Sequence, residues 1–359
     1  MRILLVGGGT TGHISPMLAT AEALRSLEPQ VELTCVGTAI GLETTVVPAA
    51  GFELRCVDPV PFPRKISLRM LSFPWRLSKA VRQAKTIIRE LGIEVVVGFG
   101  GYACPPVYLA ARKLKIPIVV HEANAIPGLA NRMGARYAAC VCATFPGTGL
   151  PGEIVTGMPI RHGIATLDRS LTRASARAEL SLDPSASVLL VSGGSQGAMS
   201  LNHAIWEAAS DLGDRGISIV HITGKNNAHL VPEGLPDSYH HLAYVDGMEK
   251  AYSVADLMLA RAGAATVVET ATVGLPTIFV PLPHGNGEQE RNARTVVEAG
   301  GGILLPDHEL SSPTLLDLVP GLLHEETLMQ MSLAARGVFP RNSAELVAHQ
   351  VLEVVRGGS

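Results

Sequence analysis

Aromatic side chains are scarce: seven Phe, six Tyr and two Trp make up about 4% of 359 residues. That scarcity points to a core of Ala, Val and Leu, as in α/β proteins with many tight turns. Charge is also sparse, at 17% against 47% hydrophobic residues, which excludes global disorder. A basic surplus is missing. The formal net charge of -3 argues against a general nucleic-acid binder, which needs cations to neutralise phosphates. Cysteines number five, odd and scattered. Cys140-Val141-Cys142 has no second ligand pair at zinc-finger spacing, so reduced cytoplasmic thiols are the expectation. No apolar run reaches ~18 residues, so no membrane span is expected. The opening MRILLV runs straight into glycines and reads as a first strand, not a secretion signal.

What is present is glycine, 37 in all, and a rhythm of apolar runs. RILLV (2–6), VELTCV (31–36), EVVVGFG (94–100) and PIVVH (117–121) are separated by helix-compatible sequence, the first helix placed from about Pro16. SVLLVSGG (187–194), ISIVHITG (217–224), ADLMLARAG (255–263) and PTIFVP (276–281) repeat the theme. Fully apolar strands alternating with helices imply parallel sheets covered on both faces. The length suits two domains. The boundary is expected in TGMPIRHG (156–163), giving domains 1–160 and 161–340, with an amphipathic tail, about 341–359, packing back on the first.

Val6-Gly7-Gly8-Gly9-Thr10-Thr11-Gly12 is echoed, 185 residues on, by Val191-Ser192-Gly193-Gly194-Ser195-Gln196-Gly197. Gly7, Gly9 and Gly12 fit the dinucleotide fingerprint G-x-G-x-x-G. That fingerprint also demands an acid about 20 positions on, at the end of the second strand, where Gly37-Thr38-Ala39 stands instead. An NAD-dependent oxidoreductase is therefore disfavoured. Two glycine loops, each feeding a helix N-terminus, remain suited to phosphates. A third strand-to-helix turn, RAGAATVVE (261–269), offers Glu269 either as the partner of Thr266 in a capping box or as an acceptor for a ribose diol. Downstream, Gln289 and Asn292 are amides of the kind that match sugar hydroxyls.

GGGTTGHISP, GGYACP (100–105), HEANAIPG (121–128), GMPIR (157–161), GGSQGA (193–198), YVDGM (244–248), ARAGAATVVE (260–269) and HGNGEQERNA (284–293) together resemble the MurG family. Its members are peripheral membrane N-acetylglucosaminyltransferases that convert lipid I into lipid II in bacterial peptidoglycan synthesis. The resemblance implies the GT-B fold, an α/β architecture of two Rossmann-like doubly wound parallel-sheet domains facing across a cleft. It places the enzyme at the cytoplasmic face of the cell membrane. Carried over by position, Ser195 would contact the donor phosphates, Val245 the uracil and Glu269 the ribose of UDP-GlcNAc. Ala264 and Ala265, with the turn they open at Thr266, Val267 and Val268, would contact GlcNAc and phosphate. Gln289, with Glu288 beside it, would meet GlcNAc hydroxyls. Asn124 and Arg161 would complete the cleft from the first domain, and Thr10, Thr11 and Gly12 would close over donor and acceptor. Thr11 stands where the family often has glycine, Met158 where it has asparagine, and Glu288 where some members have glutamine.

An inverting displacement is implied, in which the MurNAc C4 hydroxyl attacks C1 of GlcNAc. His13 is the candidate base, since a histidine in the first turn of a helix stays neutral near pH 7; the alternative is a helix-start histidine that is merely hydrogen-bonded. His121 and Glu122 are held in reserve. No Asp-x-Asp triplet occurs, so no metal requirement and no cofactor are expected. From Pro59 to Arg89 the chain carries eight basic residues and no acidic one. Arg64, Lys65, Arg69, Phe73 and Trp75 are expected to touch an anionic membrane from a loop spanning 61–75, ahead of a helix over 76–91 whose apolar positions face the core. A GT-B enzyme acting on UDP-GlcNAc with another acceptor, an epimerase included, is the nearest alternative; a non-catalytic membrane adaptor is a more distant one.

Overall fold

The computed structural model describes residues 1–60, 69–194, 197–245 and 247–357, with the backbone alone at 69–71. The chain divides into two compact units, Met1–Arg161 with Asn342–Ser359, and His162–Arg341.

The first unit is built on β1 (Arg2–Val6), β2 (Glu32–Gly37), β3 (Glu53–Cys56), β4 (Val95–Gly98), β5 (Ile118–Glu122), β6 (Cys140–Ala143) and β7 (Glu153–Val155). They lie in the order β3-β2-β1-β4-β5-β6-β7, every neighbouring pair parallel. Because side chains alternate along a strand, the continuous run ILLV sorts into two faces. Ile3 and Leu5 pack with Ile14, Met17 and Leu24 of the helix Thr11–Leu27. Leu4 and Val6 pack with Val81, Ala84 and Ile88 of the helix Arg69–Glu90. The helix Ser343–Gly357 adds Val347, Ala348, Val351 and Leu352 to the first cluster, and its Arg356 pairs with Glu28 at 2.5 Å.

Two helix starts differ from the sequence reading. The first helix begins at Thr11, so Pro16 is its sixth residue and not part of its first turn. The backbone bond that proline forfeits falls on the carbonyl of Gly12, in the half-exposed opening turn, where solvent can replace it. The basic stretch is helical from Arg69, so Phe73 and Trp75 ride on a helix instead of a loop. Pro74 is that helix's sixth residue and, like Pro16, forfeits the backbone bond to the carbonyl four residues back, at Met70.

The second unit uses β8 (Ser187–Ser192), β9 (Ile217–Ile222), β10 (Tyr239–Leu242), β11 (Leu257–Ala260), β12 (Thr277–Phe279) and β13 (Gly302–Leu304), ordered β10-β9-β8-β11-β12-β13 and again parallel. Leu189 and Val191 pack with Leu201, Ile205 and Ala208 of the helix Met199–Asp214. A polar clamp fastens the helix Arg169–Glu179 to the start of β11. Asp256 accepts from Arg177 at 2.8 Å, from Arg173, and from the Val188 N–H at 2.8 Å.

Both sheets reverse direction at their first strand, between β1 and β4 and between β8 and β11. Open α/β sheets bind ligands outside the carboxyl ends of the strands at such a point. The echoed glycine loops leave β1 and β8 at those ends. The repeat in sequence is thus a repeat in position.

Candidate active site

In the first unit the glycine loop after β1 ends at Thr10, which opens the helix carrying His13 in extended geometry without a side-chain cap. Thr10 and Thr11 are exposed and Gly12 is half-buried. His13 lies against the loop after β4. A Cβ on Gly100, whose φ is +98°, would stand 2.9 Å from its Cε1 and 3.0 Å from its Nδ1, so only glycine admits the ring there. Burial holds the imidazole below its ordinary pKa, against the opposing pull of the Phe99 carbonyl and the Glu43 charge. Nδ1 is buried and without a hydrogen-bond partner among the described residues. The ring is thereby biased towards its neutral form, with one nitrogen enclosed.

No acid stands at the end of β2, but one six residues further on is turned inward on the chain itself. Glu43, in the helix Glu43–Ala49, reaches back with a fully buried side chain. It accepts from the Gly9 N–H at 3.0 Å and from the N–H and hydroxyl of Thr38, each at 2.8 Å. Burial pushes its pKa up, but these donors outweigh burial and leave it below the usual carboxylate range. The clue in sequence was spacing among Gly8, Gly37 and Gly41, where any Cβ would collide with the Glu43 side chain.

Both reserve residues are enclosed. His121 is fully buried, binds the Gly157 carbonyl through Nε2 at 3.0 Å, and is pushed down to about 4 by burial. Glu122 accepts from the backbone of Asn124 at 2.9 Å, from Gly128 at 3.1 Å and from the Asn131 amide at 3.0 Å. Asn131 in turn accepts from Tyr108 at 3.0 Å. Glu122 therefore braces the turn that presents half-buried Asn124, with its carboxylate kept from solvent. Arg161, by contrast, is exposed.

In the second unit the helix Ala264–Val273 follows β11, with Gly263 as an N-cap lacking any side-chain cap. Thr266 is the third helical residue and Glu269 the sixth, so the two do not form a capping box. The helix begins earlier than that pattern requires. Its first N–H groups, at Ala264, Ala265 and Thr266, have no intrahelical acceptors, and the small residues leave that backbone approachable. Val267 and Val268 are buried among core residues. Glu269 is nearly buried, and its Oε2 accepts from the Tyr252 hydroxyl at 2.7 Å. Gln289, in the helix Glu288–Glu298, accepts from the Leu282 N–H at 2.9 Å, and Glu288 is half-buried beside it. Val245 is half-buried in the turn after β10.

Sequence reasoning also missed the brace behind this turn. Arg261 pairs with Asp307 at 2.6 Å, donates to Ser200 at 2.7 Å and to the Pro281 carbonyl at 3.0 Å. Its partners lie up to 61 positions away, beyond any local motif. Ser195, Arg64 and Lys65 lie outside the described residues, as does the side chain of Arg69. Phe73 is half-buried and Trp75 is 70% exposed.

Residues 3–143 match the glycosyltransferase family 28 N-terminal domain and residues 188–350 the glycosyltransferase family 28 C-terminal domain. A protein of Nocardioides sp. strain JS614, named UDP-N-acetylglucosamine–N-acetylmuramyl-(pentapeptide) pyrophosphoryl-undecaprenol N-acetylglucosamine transferase, is 50% identical over 100% of both chains. A protein of the same name from Paenarthrobacter aurescens is 48% identical, over 99% of this chain and 96% of its own. The crystal structure of Acinetobacter baumannii MurG superposes with a TM-score of 0.78 at 27% identity, covering 98% of this chain and 99% of that one. A UDP-GlcNAc 2-epimerase from Neisseria meningitidis shares the fold alone, with a TM-score of 0.70 at 14% identity over 98% of this chain and 100% of its own. With both domain models matched in order and full-length identity to relatives of one name, the chain belongs to glycosyltransferase family 28 and is a glycosyltransferase of the GT-B fold.

Proposed function

We propose that this chain transfers GlcNAc from UDP-GlcNAc to the C4 hydroxyl of MurNAc in lipid I, giving lipid II with inversion at C1. The reading is carried by 50% identity, over the whole of both chains, to a relative named for that transfer. In the reaction, His13 accepts the C4 hydroxyl proton. With Nδ1 enclosed, Nε2 is the nitrogen that receives it. The acceptor oxygen bonds to C1 as the bond from C1 to the β-phosphate oxygen breaks, and that electron pair leaves on UDP. The open N–H groups at Ala264 to Thr266, with Ser195 and Arg161, bind the diphosphate and stabilise its growing charge. Glu269, oriented by Tyr252, accepts from the ribose hydroxyls. Val245 meets the uracil through its backbone, Gln289 and Glu288 meet GlcNAc, and Thr10, Thr11, Gly12 and Asn124 shape the acceptor side.

Incubation with UDP-GlcNAc and a lipid I analogue, with chelator present, is expected to release UDP and form the disaccharide in equal amounts. Absence of product would overturn the reading. UDP-GlcNAc consumed without disaccharide, or with 2-epimerised sugar, would favour the epimerase alternative.

Work on a lipid-linked acceptor at the cytoplasmic face of the membrane is supported by the basic stretch. Trp75 presents 70% of its surface on a helix whose opposite side buries Val81, Ala84 and Ile88. Each basic residue near an anionic leaflet contributes about 1 kcal/mol. Replacing Arg64, Lys65 and Arg69 by serine, with Trp75→Ala, is therefore expected to weaken binding to anionic vesicles by about 100-fold. Unchanged sedimentation with such vesicles counts against the docking surface.

A further inference from the structure

Glu43 has no part in the reaction as described so far. Its side chain is fully buried, yet among the described residues it forms no ion pair; its partners are the Gly9 N–H and the N–H and hydroxyl of Thr38. Three glycine positions around it, Gly8, Gly37 and Gly41, are ones where a Cβ would strike the carboxylate arm. The glycine loop that follows β1 is of the kind that cradles an external anion with backbone N–H groups. Here one N–H of that loop, at Gly9, is already taken by an anion that the chain itself supplies. Gly9 immediately precedes Thr10, the residue that opens the helix bearing His13. With φ at +88°, Gly9 has a backbone conformation that its bond to Glu43 helps to fix.

We propose that Glu43 is a positioning residue for the transfer reaction: its carboxylate ties the Gly9 N–H of the first glycine loop to Thr38 of the loop after β2 and thereby fixes Gly9, Thr10 and the start of the helix that presents His13. The inference rests on His13 being the base. It also assigns the two echoed loops different tasks. The loop after β1 is tied from within by a carboxylate at Gly9 and shapes the acceptor side, whereas in the loop after β8 the Gly194 N–H bonds to the Ser192 hydroxyl.

Three measurements on the full-length enzyme test this. Glu43→Gln keeps the size of the side chain and removes its charge. It is expected to lower kcat at least tenfold, with KM for UDP-GlcNAc unchanged. Hydrogen exchange over residues 7–14 is expected to rise at least tenfold, while exchange in His162–Arg341 stays as in the parent. Glu43→Ala opens a carboxylate-sized space beside Gly9 and Thr38, and added formate is expected to restore part of its kcat but none of that of His13→Ala. A folded Glu43→Gln enzyme with normal kcat and normal exchange at 7–14 overturns the proposal, as does slow turnover in Glu43→Ala that formate leaves untouched. The exchange measurement needs no turnover, so it reads the loop even where the transferase reading has failed. A His13→Ala enzyme of normal activity would remove the base assignment and with it the link of Glu43 to the reaction, while the exchange measurement still decides whether Glu43 fixes the loop.

Discussion

His13→Ala is expected to lower kcat for transfer by about 10²- to 10⁴-fold, the usual contribution of a positioned general base. KM for UDP-GlcNAc should stay within about twofold, because the loss is confined to the transition state. The ring suits the task for a reason the sequence reading only half supplied. Burial is what lowers its pKa, against the raising pull of the Phe99 carbonyl and the Glu43 charge. A lowered pKa leaves the imidazole neutral and able to take a proton at pH 7, and activity falls only when acid protonates it. The acid limb of kcat/KM is therefore expected below the ~6.5 of an unperturbed imidazole, and it should vanish from the residual activity of His13→Ala. Near-normal turnover in that variant, with the acid limb in place, would assign the proton to another acceptor.

Asp256→Ala is expected to carry the largest stability cost in the second unit. Asp256 is 13% exposed and faces Arg177, which is 5% exposed. Removing the carboxylate leaves a buried guanidinium with only the carbonyls of Val254, Pro184 and Ala186 and no counter-charge, and leaves the Val188 N–H without its acceptor. Breaking a buried pair from one side costs about 3–5 kcal/mol. Arg173, 39% exposed, adds little by comparison. For a domain of this size the loss corresponds to a fall of about 10 °C in Tm, readable by calorimetry. Asp256→Asn, which keeps an acceptor for Val188, should lose less. A change under ~2 °C in the alanine variant would show that the arginine finds solvent or another partner.

The central strands were legible because a parallel strand buried on both faces must be apolar along its buried length, as ILLV and VLLV are. The edge strands were not. ELRC, EIV, YHHL and GIL are short and partly polar or exposed, and only pairing with a neighbour makes strands of them. Helix starts were misplaced where proline or a capping pattern seemed to announce them, because at Thr11 and Ala264 backbone geometry begins the helix without a side-chain cap. Of the candidate site, His13 and Glu269 stand in local motifs and could be named from sequence. Their supports could not. Tyr252 behind Glu269, Asn131 behind Glu122, and Glu43 behind the first loop are brought in by the sheet, from neighbours 9 to 34 positions distant.

The helix Ser343–Gly357 has a consequence for synthesis on the ribosome. It covers Ile14, Met17 and Leu18, which emerge near the beginning of translation, whereas the unit His162–Arg341 is continuous and holds all its own parts. At about 5–20 residues per second, the first-made domain waits tens of seconds for its last helix, with an apolar face uncovered meanwhile. The order of completion is thus the reverse of the order of translation: the half made second can finish folding first. A nascent chain stalled before Ser343 is then an aggregation hazard in its first half alone.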